Sequence, residues 1–313
     1  MSRLCSFVIP CYNEEGNVEA VYRAIHDTFD PEGIPCEIVM VNDGSSDDTL
    51  NKLKDLYNKT EDRGLVVVSF SRNFGKEAAI LAGMTHTTGD YVCLIDADLQ
   101  QTPDVALSMY RRLEADEDLD CVAAFQQERH EGKILAFFKD AFYALINKVS
   151  DVRFMPGASD FRMCRRKMID AILDLPEYHR FSKGIFAWVG FRSEFIPYEA
   201  KERNSGNSKW SFFKLFNYAI DGIVGYSTAP LRLSTLAGGI VFTLSCLLLL
   251  VLLILVLAGV TISSAGWIIG VILFIGGLQL IMTGIIGEYL SRTYIQGKHR
   301  PVYIEKEVLE RKS

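Results

Sequence analysis

Short apolar runs alternate with amphipathic segments over the first 200 residues of this chain. Apolar runs of about 4–8 residues are typical of buried strands, and apolar residues at every third or fourth position are typical of helices. The strands are predicted at Leu4–Ile9, Glu37–Val41, Leu65–Phe70, Tyr91–Ile95 and Cys121–Phe125, and the helices near Glu15–Phe29, Asp47–Asn58, Gly75–Thr85 and Pro103–Ala115. Because strand and helix alternate, we predict one α/β domain over residues 1–200, with a mostly parallel sheet covered by helices on both faces.

The charge pattern changes after residue 232. From Leu233 to Gly287 the chain has no Asp, Glu, Lys, Arg or His over 55 residues, whereas a membrane-spanning helix needs about 20 apolar residues. We therefore predict a hairpin of two transmembrane helices in the segment 233–290, with the spans at Leu233–Val260 and Trp267–Gly287. An unusually apolar protein core is the alternative, and the length of the stretch argues against it.

Basic residues flank this uncharged stretch on both sides. They are Lys209, Lys214 and Arg232 before it, and Arg292, Lys298 and Arg300 after it. By the positive-inside tendency we expect a multi-pass protein of the cytoplasmic membrane, with the catalytic domain and both termini in the cytoplasm. Residues 201–232 are predicted to form a basic loop and a juxtamembrane amphipathic helix. Residues 291–313 are predicted to form a cytoplasmic tail.

Composition argues against several other classes of protein. The net charge is −6 and the isoelectric point is about 5.5, which argues against general nucleic-acid binding. The seven cysteines are scattered and none are spaced as Cys-x-x-Cys. We therefore expect buried thiols in a reducing compartment rather than a disulfide framework or a zinc site. The chain also lacks the Gly-x-x-x-x-Gly-Lys-Ser/Thr pattern of P-loop enzymes.

Two aspartates follow the fourth predicted strand. Asp96 and Asp98 flank Ala97 directly after the run Tyr91–Ile95. Ligands of open α/β sheets bind beyond the carboxyl ends of the strands, and residues two apart in a strand face the same side. We therefore expect the two carboxylates to converge. Such a pair suits Mg²⁺ or Mn²⁺, whose remaining ligands are often substrate phosphates and water. The alternative is a pair of solvated aspartates in a turn.

The loops after the first two strands carry further polar side chains. Tyr12 follows the first strand and can stack on a nucleoside base, and Asp43 follows the second and can accept an N–H from that base. Since these strand ends neighbour the Asp96 loop in a doubly wound sheet, the three loops predict one cleft for a nucleotide-diphosphate substrate. A tyrosine at the rim and an Asn-Asp-Gly-Ser turn are the simpler explanations of each loop taken alone.

Four motifs resemble those of family 2 glycosyltransferases with the GT-A fold. They are Ile9-Pro-Cys-Tyr-Asn-Glu14, Val41-Asn-Asp-Gly-Ser-Ser-Asp-Asp-Thr49, Ser71-Arg-Asn-Phe-Gly-Lys76 and Asp96-Ala-Asp-Leu-Gln100. The resemblance continues through Gly157–Arg162, Arg203–Trp210 and Gly287–Arg292, so it covers nearly the whole chain. Within that family the chain resembles the polyprenyl-phosphate glycosyltransferases. The bacterial undecaprenyl-phosphate (bactoprenol) glucosyltransferases are more similar than the dolichol-phosphate mannose synthases.

The resemblance implies roles for individual residues. The donor would be held by Pro10, Tyr12, Asn13, Glu14, Val41, Asp43, Arg72, Asp96, Ala97, Asp98, Gln100, Arg203 and Lys209. Asp96 and Asp98 would bind Mg²⁺ or Mn²⁺, with Asp98 as the direct ligand. The catalytic residues would be Asp98, Asp160, Arg203 and Lys209. The candidates for the acceptor phosphate are Arg129, Lys133 and Lys139, in a segment where relatives carry more arginines.

The implied reaction is the inverting transfer of a hexose, with UDP-glucose as the expected donor, to an undecaprenyl or other polyprenyl phosphate. Asp160 matches the position proposed as a base in this family. A phosphate monoester, however, has its second pKa near 6 and is largely dianionic at neutral pH. We therefore expect Asp160 to orient the sugar or a basic side chain. A helix N-cap before Phe161 is the alternative.

Several alternatives stay open at this point. The donor could instead be GDP-mannose, UDP-galactose or a UDP-N-acetylhexosamine, and the oligomeric state, including a homo-oligomer, is not fixed by the sequence. A processive polysaccharide synthase would need more membrane spans and a Gln-x-x-Arg-Trp motif, which the chain lacks. A non-catalytic nucleotide-sugar-binding membrane protein would not need the metal-binding pair beside a cationic loop.

Overall fold

An eight-stranded mixed sheet runs through the part of the chain that the structure, a computed structural model, describes: residues 3–126, 158–199 and 265–311, with isolated positions at 147, 155 and between 231 and 258. The strands are β1 (Cys5–Cys11), β2 (Cys36–Asn42), β3 (Leu65–Phe70), β4 (Tyr91–Leu94), β5 (Cys121–Gln126), β6 (Ala158–Arg165), β7 (Ser193–Tyr198) and β8 (Glu305–Leu309). The helices are α1 (Val18–Phe29), α2 (Thr49–Lys59), α3 (Lys76–Thr85), α4 (Pro103–Ala115), α5 (Arg166–Leu173), α6 (Ser182–Trp188) and α7 (Ala265–Gly297).

The sheet is parallel at its centre and mixed towards its edges. Its strand order is β7-β5-β6-β4-β1-β2-β3-β8. β1 pairs in parallel with β2 and β4, and β2 pairs in parallel with β3, as predicted. β6 and β8 are antiparallel to their neighbours, and the sequence predicted neither strand. The five predicted strands and four predicted helices are all present, and Leu65–Phe70 and Pro103–Ala115 match residue for residue.

Alternate residues of the central strands pack on opposite faces of the sheet, as the two-residue period of a strand requires. Phe7 and Ile9 of β1 lie in one core cluster with Phe29 of α1, and the ring centroids of Phe7 and Phe29 are 4.9 Å apart. Val8 packs on the other face in a second cluster with Ile80 of α3. The prediction of helices on both faces is therefore confirmed, and both cores hold the carboxyl ends of the strands in fixed positions.

Pairing between β4 and β6 sets up the site described below. β6 lies between β4 and β5, and its register with β4 runs from Tyr91 opposite Arg165 to Leu94 opposite Arg162. Continued two residues past Leu94, the same antiparallel register brings Asp96 opposite Asp160. The two acidic residues thus meet because a later segment of the chain inserts beside β4.

The prediction of two transmembrane helices is wrong. Across residues 3–126, 158–199 and 265–311 and the isolated positions, no helix is both long enough and apolar enough to cross a membrane. The prediction was based on the absence of charged residues, which does not determine where a helix begins and ends. The second predicted span ended at Gly287, whereas α7 continues through Glu288 and Arg292. The same finding contradicts the predicted location as a multi-pass protein of the cytoplasmic membrane. Most of the first predicted span and the whole segment 201–230 lie outside the described residues.

β8 lies in the segment predicted as a separate tail. It pairs antiparallel with β3, with Val68 opposite Val308 and Ser69 opposite Glu307. Its edge of the sheet is strengthened by an ion pair 2.5 Å long between Lys54 Nζ on α2 and Glu307 Oε2. The C-terminal part of the chain is therefore built into the same sheet as the N-terminal strands.

Candidate active site

Hydrogen bonds join the loops that follow β1 and β2. Asn13 adopts a left-handed backbone conformation with φ 57°. Its backbone N–H donates to Ser45 Oγ at 3.0 Å, and its side-chain Oδ1 accepts the N–H of Ser46 at 2.9 Å. The N–H of Glu14 donates to Thr49 Oγ1 at 2.8 Å. These contacts join the loops after β1 and β2 into one wall at the carboxyl edge of the sheet.

Asp43 holds the loop between β3 and α3. The side chain is buried, its Oδ1 accepts the N–H of Phe74 at 2.6 Å, and its Oδ2 accepts the N–H of Gly75 at 3.0 Å. Burial raises the pKa of the Asp43 carboxyl, and these two hydrogen bonds oppose that rise. Gly44 has φ 62°, and a Cβ there would lie 2.4 Å from the backbone carbon of Arg72. The two loops therefore meet backbone to backbone.

The remaining residues predicted to hold the donor differ in how far they are exposed. Tyr12 is exposed, so its ring is accessible to a base. Arg72 is also exposed, and its guanidinium lies 4.1 Å above the ring of Phe74. Val41 and Ala97, by contrast, are buried, so they shape the cleft from within the core. Pro10 is partly buried at the end of β1 and lies opposite Val41 in the register with β2.

The Asp96–Asp98 segment lies in a turn and not in a strand, because β4 ends at Leu94. The two-residue period of a strand therefore does not determine the directions of these two carboxylates. Gln101 fixes the turn: its Oε1 accepts the N–H of Asp96 at 2.9 Å, and its Nε2 donates to Asp96 Oδ2 at 3.2 Å. Asp98 Oδ1 accepts the N–H of Gln100 at 3.2 Å. The turn thus orients both aspartates through its own hydrogen bonds.

Lys76, the first residue of α3, connects two of the predicted acidic residues. Its Nζ lies 2.6 Å from Asp96 Oδ1 and 3.2 Å from Asp160 Oδ2, and 44% of its side chain is exposed. Burial opposes the charge of Lys76, but the two carboxylates outweigh burial and raise its pKa. Lys76 is the last residue of the motif Ser71–Lys76, and no role was predicted for it. The sequence signal that could have identified Lys76 was its position at the start of a helix that follows the carboxyl end of a strand.

Asp160 lies in β6 and is not a helix N-cap. Burial would raise the pKa of its carboxyl, but the ammonium groups of Lys76 and Lys183 outweigh burial and lower it. Its Oδ1 is buried and has no hydrogen-bond partner among the described residues. A carboxylate with a lowered pKa is a weak base, so this arrangement supports an orienting role for Asp160 over proton abstraction.

Glu77, the second residue of α3, contacts the first residue of α6. Its Oε2 accepts the N–H of Ser182 at 3.0 Å and also the hydroxyl of Ser182. Burial, together with the nearby charge of Asp160, raises the pKa of the Glu77 carboxyl to about 7. Neighbouring residues at the start of α3 therefore contact the acidic cluster and α6. Glu77 had not been predicted as a site residue.

The described residues fit a divalent cation that a diphosphate helps to bind. Asp96 and Asp160 share the ammonium of Lys76, and Asp160 keeps a buried oxygen without a hydrogen-bond partner in the described part of the chain. No three His, Cys, Asp or Glu side chains in the described ranges group closely enough to hold a metal ion by themselves. Mg²⁺, however, is usually bound through one or two carboxylates together with substrate phosphates. Asp98 and Asp96 are the residues that would hold it.

Five predicted site residues lie outside the described residues. They are Arg203 and Lys209, predicted for the donor diphosphate, and Arg129, Lys133 and Lys139, predicted for the acceptor phosphate. Their roles stay predictions. The structure brings Asp96 and Asp160 to one lysine, Lys76, and joins the loops of Asn13 and Asp43 to their neighbours by hydrogen bonds.

A family model matches the part of the chain that contains these described site residues. The family model described as "Glycosyl transferase family 2" matches residues 6–173, which is more than half of the chain. The chain belongs to glycosyl transferase family 2. As a family 2 member it is a glycosyltransferase, and the predicted family is confirmed.

Two relatives cover nearly the full length of this glycosyltransferase. A bactoprenol glucosyl transferase of Shigella phage SfV is 38% identical over 303 residues, which are 96% of this chain and 97% of that protein. An uncharacterized glycosyltransferase of a Synechocystis species is 40% identical over 301 residues, which are 96% of this chain and 93% of that protein. The resemblance to polyprenyl-phosphate glycosyltransferases is therefore consistent with the relatives.

A solved structure supports the fold of this family 2 member. The mannosyltransferase PcManGT of Pyrobaculum calidifontis, solved with GDP-Man and Mn²⁺, matches with a TM-score of 0.50 at 19% identity. The match covers 72% of this chain and 63% of that chain. It shows a GT-A-like mixed α/β sheet, so the predicted fold of the catalytic domain is confirmed, without the transmembrane helices that were added to it.

Proposed function

We propose that this glycosyltransferase moves a hexose, glucose, from UDP-glucose to a polyprenyl phosphate. The observation that carries the proposal is the cluster of Asp96, Lys76 and Asp160 at the carboxyl edge of a GT-A-like sheet. The full-length similarity to a bactoprenol glucosyl transferase supports the choice of sugar and acceptor.

The reaction follows from the charges at this edge. An oxygen of the acceptor phosphate forms a bond to the anomeric carbon of the sugar, and the bond from that carbon to the diphosphate breaks. The bonding electron pair leaves with the UDP, so negative charge grows on the diphosphate. Attack from the face opposite the leaving group inverts the anomeric carbon. The acceptor phosphate is largely dianionic at neutral pH, so no proton has to be removed for the bond to form.

Individual residues have separate tasks in this proposal. Tyr12 stacks on the base, and the wall built by Asn13 and Ser45 positions the nucleoside. Asp98 and Asp96 would hold a divalent cation, which when bound would supply positive charge to the leaving diphosphate. Arg203 and Lys209 are proposed to supply further positive charge there. Asp160, whose pKa is lowered beside Lys76, stays ionised and orients the sugar.

The test uses purified full-length protein with farnesyl phosphate as a soluble acceptor. Separate reactions contain radiolabelled UDP-glucose, UDP-galactose, UDP-N-acetylglucosamine or GDP-mannose, each with Mn²⁺, Mg²⁺ or EDTA. We expect label to enter the organic phase with UDP-glucose and a divalent cation only. Transfer from another donor would refute the assigned sugar, and transfer in EDTA would refute the metal requirement. No transfer from any donor would refute the acceptor class.

A further inference from the structure

A cavity of about 880 Å³ lies between the catalytic edge of the sheet and the C-terminal turns of α7. One wall is formed by the β3–α3 loop and the start of α3, and the opposite wall by Tyr289–Gly297 of α7. Gln296 of α7 joins this helix to the segment of Tyr178, which also lines the cavity. Its Oε1 accepts the N–H of Tyr178 at 2.8 Å, and its Nε2 donates to the carbonyl oxygen of Pro176 at 2.6 Å. The cavity is therefore a defined part of the fold, of a size typical for small-molecule sites.

The cavity begins where the acidic cluster ends. Glu77 lines it, and the preceding residue, Lys76, contacts Asp96 and Asp160. The charge of Asp160 acts on Glu77 strongly enough to help raise its pKa. A ligand in the cavity would thus lie next to the group that we propose orients the transferred sugar.

Three arginines line the cavity: Arg72, Arg180 and Arg292. The guanidinium of Arg180 is anchored by the carbonyl oxygens of Leu175 at 3.1 Å and Ile172 at 3.3 Å. That of Arg292 lies 3.1 Å from Glu288 Oε1, and 19% of the side chain is exposed. Anchored guanidinium groups match the geometry of phosphate oxygens.

Two carboxyl groups, those of Glu77 and Glu177, also line the cavity. Burial raises the pKa of both carboxyl groups, and the pKa of Glu77 rises to about 7, so Glu77 is only partly ionised near neutral pH. Glu288 also pairs with Arg292. Since Glu77 is only partly ionised, the three guanidinium groups still outweigh the ionised carboxyl groups, and the cavity favours an anion.

Four aromatic side chains also line the cavity, and an apolar face of α7 leads away from it. Phe74, Tyr178, Phe181 and Tyr289 line the cavity. Along α7 the exposed apolar side chains Ile286 and Leu290 share one face with Ile268 and Ile272, because the 18 residues from 268 to 286 make about five helical turns. The exposed Gln279 separates the two pairs on this face. Thr293 and Gly297, which line the cavity, continue the same face. A cationic cavity thus stands at the end of an exposed apolar track.

We propose that this cavity binds the phosphate and the first isoprene units of the polyprenyl phosphate acceptor, and that the chain continues along the apolar face of α7. The inference rests on the proposed function, since it assigns the site of that function's acceptor. It also assigns the phosphate to Arg180 and Arg292, for which no role had been predicted from the sequence.

The phosphate site is tested by binding and by turnover. Arg180→Gln and Arg292→Gln are compared with the control Arg111→Gln. Arg111 lies on the distant helix α4, where its guanidinium forms an exposed ion pair 2.9 Å from Glu32. Farnesyl phosphate binding is measured by calorimetry without donor, and UDP binding is measured separately to show that each variant is folded. We expect the two cavity variants to weaken farnesyl phosphate binding about tenfold or more. UDP binding should be unchanged, and the control should match wild type.

The outcomes separate this inference from the proposed function. If the wild-type protein transfers glucose to farnesyl phosphate and both cavity variants behave like Arg111→Gln, the cavity assignment is overturned and Arg129, Lys133 and Lys139 become the phosphate site. If the wild-type protein binds farnesyl phosphate through Arg292 but transfers no sugar, the cavity assignment stands and the proposed function fails. No binding by the wild-type protein overturns the cavity assignment outright.

The apolar track has its own test. Replacing Ile286 and Leu290 together by serine leaves the cavity lining unchanged. The double variant should bind farnesyl phosphate several times more weakly than wild type, because it loses apolar contact with the chain. It should bind dimethylallyl phosphate, which has a single isoprene unit, as wild type does. Equal loss for both ligands, or for neither, would refute the track.

Discussion

Replacing Lys76 by methionine should destabilise the protein and at the same time tighten its hold on a divalent cation. Methionine keeps the length of the side chain and removes the ammonium that lies 2.6 Å from Asp96 and 3.2 Å from Asp160. The two carboxylates would then face each other beside the sheet edge without that charge. Asp160 already keeps one buried oxygen without a hydrogen bond among the described residues.

The magnitude follows from exposure. Breaking a fully buried ion pair costs about 3–5 kcal/mol, whereas an exposed pair contributes about 0–1 kcal/mol. With 44% of the Lys76 side chain exposed and 21% of the Asp160 side chain, we expect Lys76→Met to lower the free energy of unfolding by about 2 kcal/mol at pH 7.

The loss should depend on pH in a defined direction. The pKa of Asp160 is lowered in the folded protein, so its contribution to stability is present above the unfolded pKa, about 3.9, and is lost as the pH falls through the lower folded value. The difference between wild type and Lys76→Met should therefore be full at pH 7 and should shrink as the pH falls below about 4.

Urea unfolding in EDTA at pH 7 and pH 3.5 measures the stability, and electron paramagnetic resonance measures Mn²⁺ binding without donor. Lys54→Met is the control, because Lys54 forms a comparably short ion pair with Glu307, far from the acidic cluster. Lys76→Met should bind Mn²⁺ more tightly than wild type, since the cation takes over the neutralisation of Asp96. Equal Mn²⁺ affinity, or a loss of stability no larger than that of Lys54→Met, would refute the reasoning.

Three further predictions concern the same edge of the sheet. Asp98→Asn should abolish Mn²⁺-dependent transfer and should not recover at high donor concentration, as a steady-state titration would show. Gly44→Ala should lower the urea midpoint far more than Gly33→Ala: both glycines have positive φ, but only at Gly44 would the new Cβ meet backbone, that of Arg72 at 2.4 Å. Glu77→Gln should gain stability relative to wild type as the pH rises from about 4.5 through about 7, because the raised pKa of Glu77 favours its protonated form; parallel stability profiles would contradict this.

Signals within short stretches of sequence were enough to predict the helices and strands whose bounds depend on neighbouring residues. Helix α4 begins at Pro103, a residue suited to the first helical turn, and β3 is a continuous apolar run from Leu65 to Phe70. Both have the predicted bounds. The motif residues Asn13 and Asp43 likewise lie at the predicted edge.

The contact between Asp96 and Asp160 could not be predicted from such signals. It depends on β6 inserting antiparallel between β4 and β5, and on a register fixed by pairs such as Leu94 opposite Arg162. Neither the strand order nor the register is encoded within a short window of sequence. Lys76 was missed for the same reason, since its role appears only when two segments far apart in the chain come together.

The antiparallel partner of β3 has a consequence for how the chain folds as it is made. β3 ends at Phe70, and its outer neighbour β8 begins at Glu305, about 235 residues later. At about 5–20 residues per second, synthesis of the intervening chain takes on the order of 10–50 s. During that time the outer edge of β3 has no β8 to pair with, and an unpaired strand edge is a site for association between chains. The nascent protein therefore passes through an interval in which its parallel sheet is assembled but open on one side.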